Sequence, residues 1–138
     1  MFYQPEHFIA QEFVPESVYN KRGHKSLELI NPRLLASYDQ LRKKFGPCTI
    51  NNWHIGGNFT ESGLRVPGDE YYSQFSQHSY GNAGDGKFSL ITPEEIRIYI
   101  LANPDEFPYI TFLELDTDSW LHIDVRNCRR ITTWSPNS

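Results

Sequence analysis

The chain has 138 residues and a formal net charge of -4, a length that suits one domain with one modest hydrophobic core. Its 38% hydrophobic and 22% charged residues are typical of a globular protein and exclude an intrinsically disordered one. The acidic balance argues against a nucleic-acid partner, because surfaces that bind phosphate backbones are usually basic. No apolar run in the sequence is long enough for a transmembrane helix, so we expect no membrane insertion.

Residues 1–30 contain several turn-forming residues and are predicted to be an irregular N-terminal arm that wraps the domain formed by residues 31–138. Residues 1–10 lack the basic segment and the apolar stretch of a signal peptide. Cys48 and Cys128 are far apart and form no C-x-x-C pair, which predicts two free thiols.

Two main helices are predicted from their capping signals. Asn31-Pro32 supplies an N-cap and a first-turn proline, apolar residues then recur at helical spacing as far as Phe45, and Gly46-Pro47 ends the helix. Thr92-Pro93-Glu94-Glu95 is a capping box that opens a second helix over residues 93–103.

The strands are short and separated by turn signals. They are predicted over residues 49–54, 109–115, 120–125 and 131–134, and a turn at 116–119 joins the second and third as a hairpin. Together the elements predict a small single α+β domain with an antiparallel sheet. The glycine-containing loop at 55–75 has a length that usually indicates a function.

The strand at 120–125 alternates between two kinds of face. One face is apolar and predicted to join the core, and the other combines an indole, an imidazole and a carboxylate. The second face comprises Trp120, His122 and Asp124. A cleft would explain this face, although an ordinary exposed polar face would give the same alternation.

A second group of polar residues lies upstream. His78 and Asp85 offer a nitrogen and an oxygen donor on a short segment with glycines that allow tight bends. With His122 they would make three protein ligands, and three ligands with one open position are what a catalytic zinc site requires. Taken alone, His78 is better explained as an ordinary loop histidine.

The two groups together form the pattern S-x-H-x-x-G-x-A-x-D followed by W-x-H-x-D, from Ser76 to Asp85 and from Trp120 to Asp124. This pattern resembles the zinc D-Ala-D-Ala carboxypeptidase family, which includes D,D-dipeptidases and phage endolysins that cut L-alanyl-D-glutamate bonds. The Hedgehog signalling domain shares the fold and zinc site. The stretches 50–53 and 62–65 resemble the family's upstream strand and its S-G-x-R element, so the resemblance covers about residues 31–134. It is closest to compact phage-encoded members.

The resemblance implies a zinc metallopeptidase of the bacterial cell wall with a zinc-binding cleft. His78, Asp85 and His122 would hold Zn2+, Arg65 would anchor a carboxylate or carbonyl of the substrate, and the partner would be the peptidoglycan stem peptide. Arg65 suits this because a guanidinium is always charged and binds such groups bidentately. Without the motif, Arg65 would be read as a surface arginine on a mobile loop.

The general base departs from the family pattern. Many members carry a glutamate a few residues before the last histidine, whereas this chain offers Glu114, Asp116 and Asp118. Asp116 is favoured because its spacing to His122 matches the glutamate of the Hedgehog version. Glu114 has the usual residue type but lies further away, and Asp118 would stabilise the turn.

Several alternatives remain open. Structural roles are expected for His54 and Asp124, because residues two apart on a strand, such as His122 and Asp124, rarely bond directly. A non-catalytic structural or binding module of a phage particle could keep the fold and the zinc site, with other particle proteins as partners. In a phage particle or a host cytoplasm, access to the cell wall would need no signal peptide. A metal-free relative of the fold is the third alternative.

Overall fold

The computed structural model describes residues 1–136, which form three α-helices and one five-stranded mixed sheet. This arrangement confirms the predicted α+β class. The helices are α1 (Glu16–Arg22), α2 (Pro32–Phe45) and α3 (Pro93–Ala102). The strands are β1 (Cys48–Thr49), β2 (Ala83–Phe88), β3 (Phe112–Glu114), β4 (Leu121–Asp124) and β5 (Thr132–Trp134).

The two longer helices begin and end at the predicted signals. The side chain of Asn31 accepts a hydrogen bond from the backbone N–H of Arg33 at 2.9 Å, and Gly46 ends α2 with a φ of 90°. At α3 the capping box is formed in both directions between Thr92 and Glu95. Local sequence therefore determines where these helices start, as capping chemistry requires.

The sheet has the order β1-β2-β4-β3-β5. The first three pairings are antiparallel, but β5 pairs with β3 in parallel. The predicted all-antiparallel sheet is therefore wrong at this edge. Both sides of β4 are already occupied by β2 and β3, and the chain that returns after β4 adds its strand at the outer side of β3.

Residues 49–54 do not form the predicted strand. Only Cys48–Thr49 pairs with β2, and Trp53–Ile55 forms a turn of 3-10 helix. The contacts of Asn51, which precedes this turn, account for the end of the strand. The buried side chain of Asn51 bonds to the carbonyl of Val14 and to the N–H of Ser62, and these bonds tie the chain to its neighbouring loops.

The strand β2 was missed because glycine has a low strand propensity. Gly84 and Gly86 face the ring of Tyr38 in α2, and a Cβ on either would lie 2.7 Å from a ring carbon. The Tyr38 hydroxyl contacts the carbonyl oxygens of Gly84 at 2.7 Å and Leu121 at 2.9 Å. Strand alternation then turns Asp85, between the two glycines, to the opposite face.

The core lies between this face of the sheet and the two longer helices. The N-terminal arm contributes to it, since Phe13 and Val14 are fully buried, and the arm is partly helical because it contains α1. Both cysteines are free, as predicted. Within residues 1–136, no helix is long and apolar enough to cross a membrane.

Candidate metal centre

Two adjacent strands and one turn bring the predicted ligands together. Asp85 on β2 is the cross-strand partner of His122 on β4. His78 lies on a turn of 3-10 helix, Gln77–Tyr80, that leads into β2. One ligand atom from each of the three residues lies within 4.8 Å of the others, so this largely buried group could hold a metal ion.

The ring of His78 is oriented by the backbone. Its Nδ1 lies 2.8 Å from the carbonyl oxygen of Gly63. Since a carbonyl only accepts, Nδ1 carries a proton, and Nε2 is the nitrogen that could bind an ion. That Nε2 lies 3.4 Å from Asp85 Oδ2, on the side where an ion would bind. Metal-ligating histidines usually donate their second N–H in this way.

The ring of His122 is oriented by a carboxylate. Its Nε2 lies 2.9 Å from Asp124 Oδ2, and its Nδ1 lies 3.0 Å from Asp85 Oδ1. The expectation that His122 and Asp124 do not bond directly is therefore wrong. Same-face residues of a strand lie about 6.6 Å apart, and the imidazole and carboxylate together bridge that separation.

Arg126 completes this arrangement, and the sequence analysis did not identify it. Its Nε and Nη2 donate to the two oxygens of the fully buried Asp124 at 2.8 and 2.7 Å. Its guanidinium lies 3.6 Å from the ring centroid of Phe112. The available signal was a cationic residue two positions after Asp124, which places it on the same face.

The separations between the candidate ligand atoms can be compared with those around a tetrahedral ion. Bonds of about 2.0–2.2 Å at tetrahedral angles separate the ligand atoms by about 3.3–3.6 Å. Asp85 lies 3.4 Å from His78 and 3.0 Å from His122 through its two oxygens. All three candidate ligand atoms lie within 4.8 Å of one another, so they are close enough together that the group could hold an ion.

The electrostatics keep the central carboxylate ionised. Burial raises the pKa of Asp85, but the charge of His78 and the hydrogen bond from His122 outweigh burial and hold this pKa well below its usual range. Burial lowers the pKa of His122, but hydrogen bonds to Asp124 and Asp85 outweigh burial and raise it to about 9. Asp85 is thus available as an anionic ligand.

Arg65 lies beside this group, where the resemblance implied a substrate anchor. Its Nη2 is 3.2 Å from Asp85 Oδ2, and its Nε donates to the carbonyl of Glu61 at 2.8 Å. Its backbone N–H donates to the carbonyl of His78 at 3.1 Å. Arg65 is therefore fixed at the cluster and does not extend freely into solvent.

The three acidic candidates occupy different places. Glu114, at the end of β3, lines the cleft, and its Oε2 lies 3.7 Å from His122 Nδ1. Asp116 is exposed, has a φ of 64°, and accepts a hydrogen bond from Ser135. Asp118 is exposed in the same turn. Among the described residues, neither aspartate lines the cleft that holds the metal ligands, so the preference for Asp116 is not supported by position.

A buried arginine fixes the turn that carries the two aspartates. Arg97 of α3 donates to Thr117 Oγ1 at 2.7 Å and to the Thr117 carbonyl at 3.0 Å. Thr117 in turn donates to the carbonyl of Trp120 at 2.5 Å. The positions of Asp116 and Asp118 outside the cleft are therefore a feature of the packed fold.

The cluster opens into a cleft of about 660 Å3. Its walls include the metal ligands, Arg65, Glu114 and Arg126, with exposed aromatic rings from Phe75, Trp120 and Trp134. Trp53 is not part of this wall, because it packs against Tyr19 and donates its indole N–H to the carbonyl of Val14. His54 contacts Trp53 and is likewise outside the wall. The cleft volume lies in the range of small-ligand sites.

Comparison with protein-family models, with curated proteins and with solved structures finds no match for this chain. The interpretation of the site therefore depends on its residues and their geometry.

Proposed function

We propose that the chain is a zinc-dependent peptidase that hydrolyses peptide bonds of bacterial peptidoglycan, of the D-Ala-D-Ala carboxypeptidase or endolysin type. The observation that carries the proposal is the cluster of His78, Asp85 and His122 beside a carboxylate, Glu114, in an open cleft. Two imidazoles and one carboxylate are a usual ligand set of catalytic zinc.

The choice of zinc is supported by the type of the donor atoms. Imidazole ligands favour zinc and its transition-metal neighbours over magnesium or calcium, which prefer all-oxygen sites. A zinc ion would supply Lewis acidity, which polarises a carbonyl and lowers the pKa of a water molecule.

The chain's own residues would perform the remaining tasks. Glu114 is the carboxylate best placed to accept the proton of the attacking water and to return it to the leaving amine, a role that we assign to it in preference to Asp116. Arg65 would bind a carbonyl or carboxylate of the substrate. Asp124, held by Arg126, keeps the ring of His122 turned with Nδ1 toward the other ligands.

A non-catalytic module of a phage particle is the second candidate. The position of Asp116 favours it, because the carboxylate with the spacing expected of a base lies outside the cleft. Such a module would keep the metal for stability and would bind peptide or particle proteins without cleaving them.

The test combines elemental analysis with digestion of purified peptidoglycan, before and after treatment with a chelator. The peptidase proposal predicts one zinc per chain and peptide release that stops with chelator and returns with added zinc. One zinc per chain without release would favour the structural module. A protein purified without chelator that contains no metal would contradict both.

A further inference from the structure

The cleft contains two arginines that lie at the two ends of one chain of polar contacts. Arg65 contacts Asp85, whose other carboxylate oxygen contacts Nδ1 of His122. Nε2 of the same ring contacts Asp124, which in turn binds Arg126. The chain of contacts therefore has a cation at each end and a candidate metal ligand at its centre, and both cations line the cleft.

Arg126 keeps one edge of its guanidinium free. A guanidinium has five N–H donors and can bind carboxylates along more than one edge. In Arg126 the edge formed by Nε and Nη2 binds Asp124. The edge formed by Nη1 and the second N–H of Nη2 has no hydrogen-bond partner among residues 1–136. Since the side chain is 33% exposed and lines the cleft, this edge remains for a ligand.

The guanidinium of Arg126 is also held in a fixed orientation. Its Cζ lies 3.6 Å from the ring centroid of Phe112, and its two bonds go to the fully buried carboxylate of Asp124. The backbone carbonyl of Arg126 accepts from Thr111 Oγ1 at 2.6 Å. A cation that is fixed before its ligand arrives loses little conformational entropy when it binds that ligand.

The charges around the cleft favour an anionic ligand. Among the described residues that line it, the carboxylates are those of Asp85 and Glu114, and the arginines are Arg65 and Arg126. A divalent ion at the candidate ligands would bring more positive charge than the buried carboxylate of Asp124 brings negative charge. A cleft with an excess of one sign of charge raises the local concentration of ligands with the opposite sign.

We infer that Arg126 is a second anion-binding site of the cleft, which takes a carboxylate of a peptide ligand along the Nη1 and Nη2 edge of its guanidinium. The inference rests on the proposed function, because it names a group of the ligand of the same cleft. In a peptidoglycan stem peptide this group is either the α-carboxylate of the γ-linked D-glutamyl residue or the C-terminal carboxylate. Arg65 remains available for another group of the same ligand.

The test measures binding of acetyl-L-alanyl-γ-D-glutamyl-L-lysyl-D-alanyl-D-alanine by isothermal titration calorimetry, with one equivalent of zinc. All proteins carry Glu114→Gln, so that the peptide stays intact. Four forms of the peptide are compared: both carboxylates free, either one replaced by a carboxamide, and both replaced. The form with both free should bind about 10-fold more tightly than the doubly amidated form, since a hydrogen bond to a charged group contributes about that factor. The single amide that loses this preference identifies the carboxylate that binds.

Arg126→Ala tests whether Arg126 causes this preference. If Arg126 binds the carboxylate, the variant should bind all four forms with about equal Kd values. If Arg126 serves only to hold Asp124, its loss would weaken all four forms by one common factor, and the persisting preference would overturn the inference. Arg126→Lys keeps a positive charge beside the buried carboxylate and thereby protects the fold. Because an ammonium has no second edge, this variant should also lose most of the preference, and a full preference would contradict the inference.

Arg33→Ala is the matched control. Arg126 also borders an adjoining cavity of about 540 Å3, and Arg33 lines that cavity but not the cleft. Arg33 is exposed, so its replacement removes the same charge and should leave the preference unchanged. Loss of the preference in Arg33→Ala would place the ligand in the adjoining cavity and overturn the inference.

The binding result is independent of hydrolysis. Equal binding of the free and the doubly amidated peptide to the protein with Arg126, or no binding of either, would also overturn the inference. Release of peptides from peptidoglycan decides the proposed function separately. A carboxylate preference without such release would keep the anion-binding site and contradict the peptidase.

Discussion

Asp85 and His122 are direct cross-strand partners, with Asp85 Oδ1 3.0 Å from His122 Nδ1. In the neighbouring pairing of β3 with β4, Phe112 lies opposite Asp124 and Leu113 opposite Ile123. The same register continued by one residue puts Glu114 beside His122. Strand pairing therefore sets three side chains of the site at one level, and sites built on strands are held more accurately than sites on loops.

Removal of any one ligand should abolish specific metal binding. His78→Ala, Asp85→Ala and His122→Ala each leave two protein ligands, and zinc binding should then no longer raise the thermal midpoint. In the unsubstituted protein, zinc at 100 times its Kd should add about 2.7 kcal/mol of stability. Scanning calorimetry with and without zinc measures this difference.

His7→Ala serves as the control for these variants, because His7 lies exposed in the N-terminal arm. It should respond to zinc as the unsubstituted protein does. A zinc-dependent rise of the midpoint that persists in His122→Ala would show that the ion binds elsewhere.

Asp124→Asn should weaken zinc binding without removing a ligand. Asp124 accepts the Nε2 proton of His122 and two bonds from Arg126, so its charge sets the orientation and basicity of the ring. Loss of such a partner typically lowers metal affinity about 10- to 100-fold. Competition with a fluorescent zinc chelator measures the affinity, and Asp118→Asn in the exposed turn should leave it unchanged. Equal affinities for both variants would contradict the role of Asp124.

Glu114→Gln should stop hydrolysis while the protein keeps its zinc. The amide cannot take a proton from water, and a general base contributes about 10²- to 10⁴-fold to a rate. Asp116→Asn should retain activity, since Asp116 is exposed and outside the cleft. Peptide release and zinc content are measured on both variants. The reverse pattern, with Asp116→Asn inactive and Glu114→Gln active, would identify Asp116 as the general base, as its spacing to His122 predicts.

The candidate metal ligands and the two longer helices could be predicted from the sequence, for different reasons. Caps such as Asn31 and Thr92 act within a few residues of the helix that they start, so their signals are local. The segment from His78 to Asp85 and the strand with His122 were assigned as candidate ligands through their joint pattern and its resemblance to a zinc peptidase family, because each half alone is weak. Strand alternation contributed only the placement of His122 on one face with Trp120 and Asp124, and this signal is also local.

Other features depend on contacts between distant segments. Spacing along the chain favoured Asp116 as the general base. Its left-handed backbone conformation and the contacts of Arg97 with the neighbouring Thr117 keep it outside the cleft. Glycines disfavoured β2 as a strand, although the ring of Tyr38 requires them. The bonds of Arg126 to Asp124 depend on side-chain positions, which the two-residue spacing between them does not determine.

Gly84→Ala should destabilise the fold behind the metal centre. The added Cβ would lie 2.7 Å from a ring carbon of Tyr38, which is fully buried, and overpacking of a core typically costs about 1–3 kcal/mol. The denaturation midpoint should fall with an unchanged dependence on denaturant. Ser89→Ala is the control, because Ser89 is exposed just after β2. An unchanged midpoint in Gly84→Ala would show that Tyr38 can move aside.

The two free thiols should react at very different rates. Burial raises the pKa of the Cys48 thiol to about 12, and only the thiolate is nucleophilic. Cys128 is exposed, so iodoacetamide at pH 8 should label it first, and mass spectrometry after proteolysis identifies the site. Labelling of Cys48 should be slow in the native protein and should accelerate about tenfold per pH unit toward pH 12, since the thiolate fraction grows by that factor below the pKa. Cys128→Ser should remove the fast reaction, whereas rapid labelling of Cys48 at pH 8 would mean that β1 opens readily from the edge of the sheet.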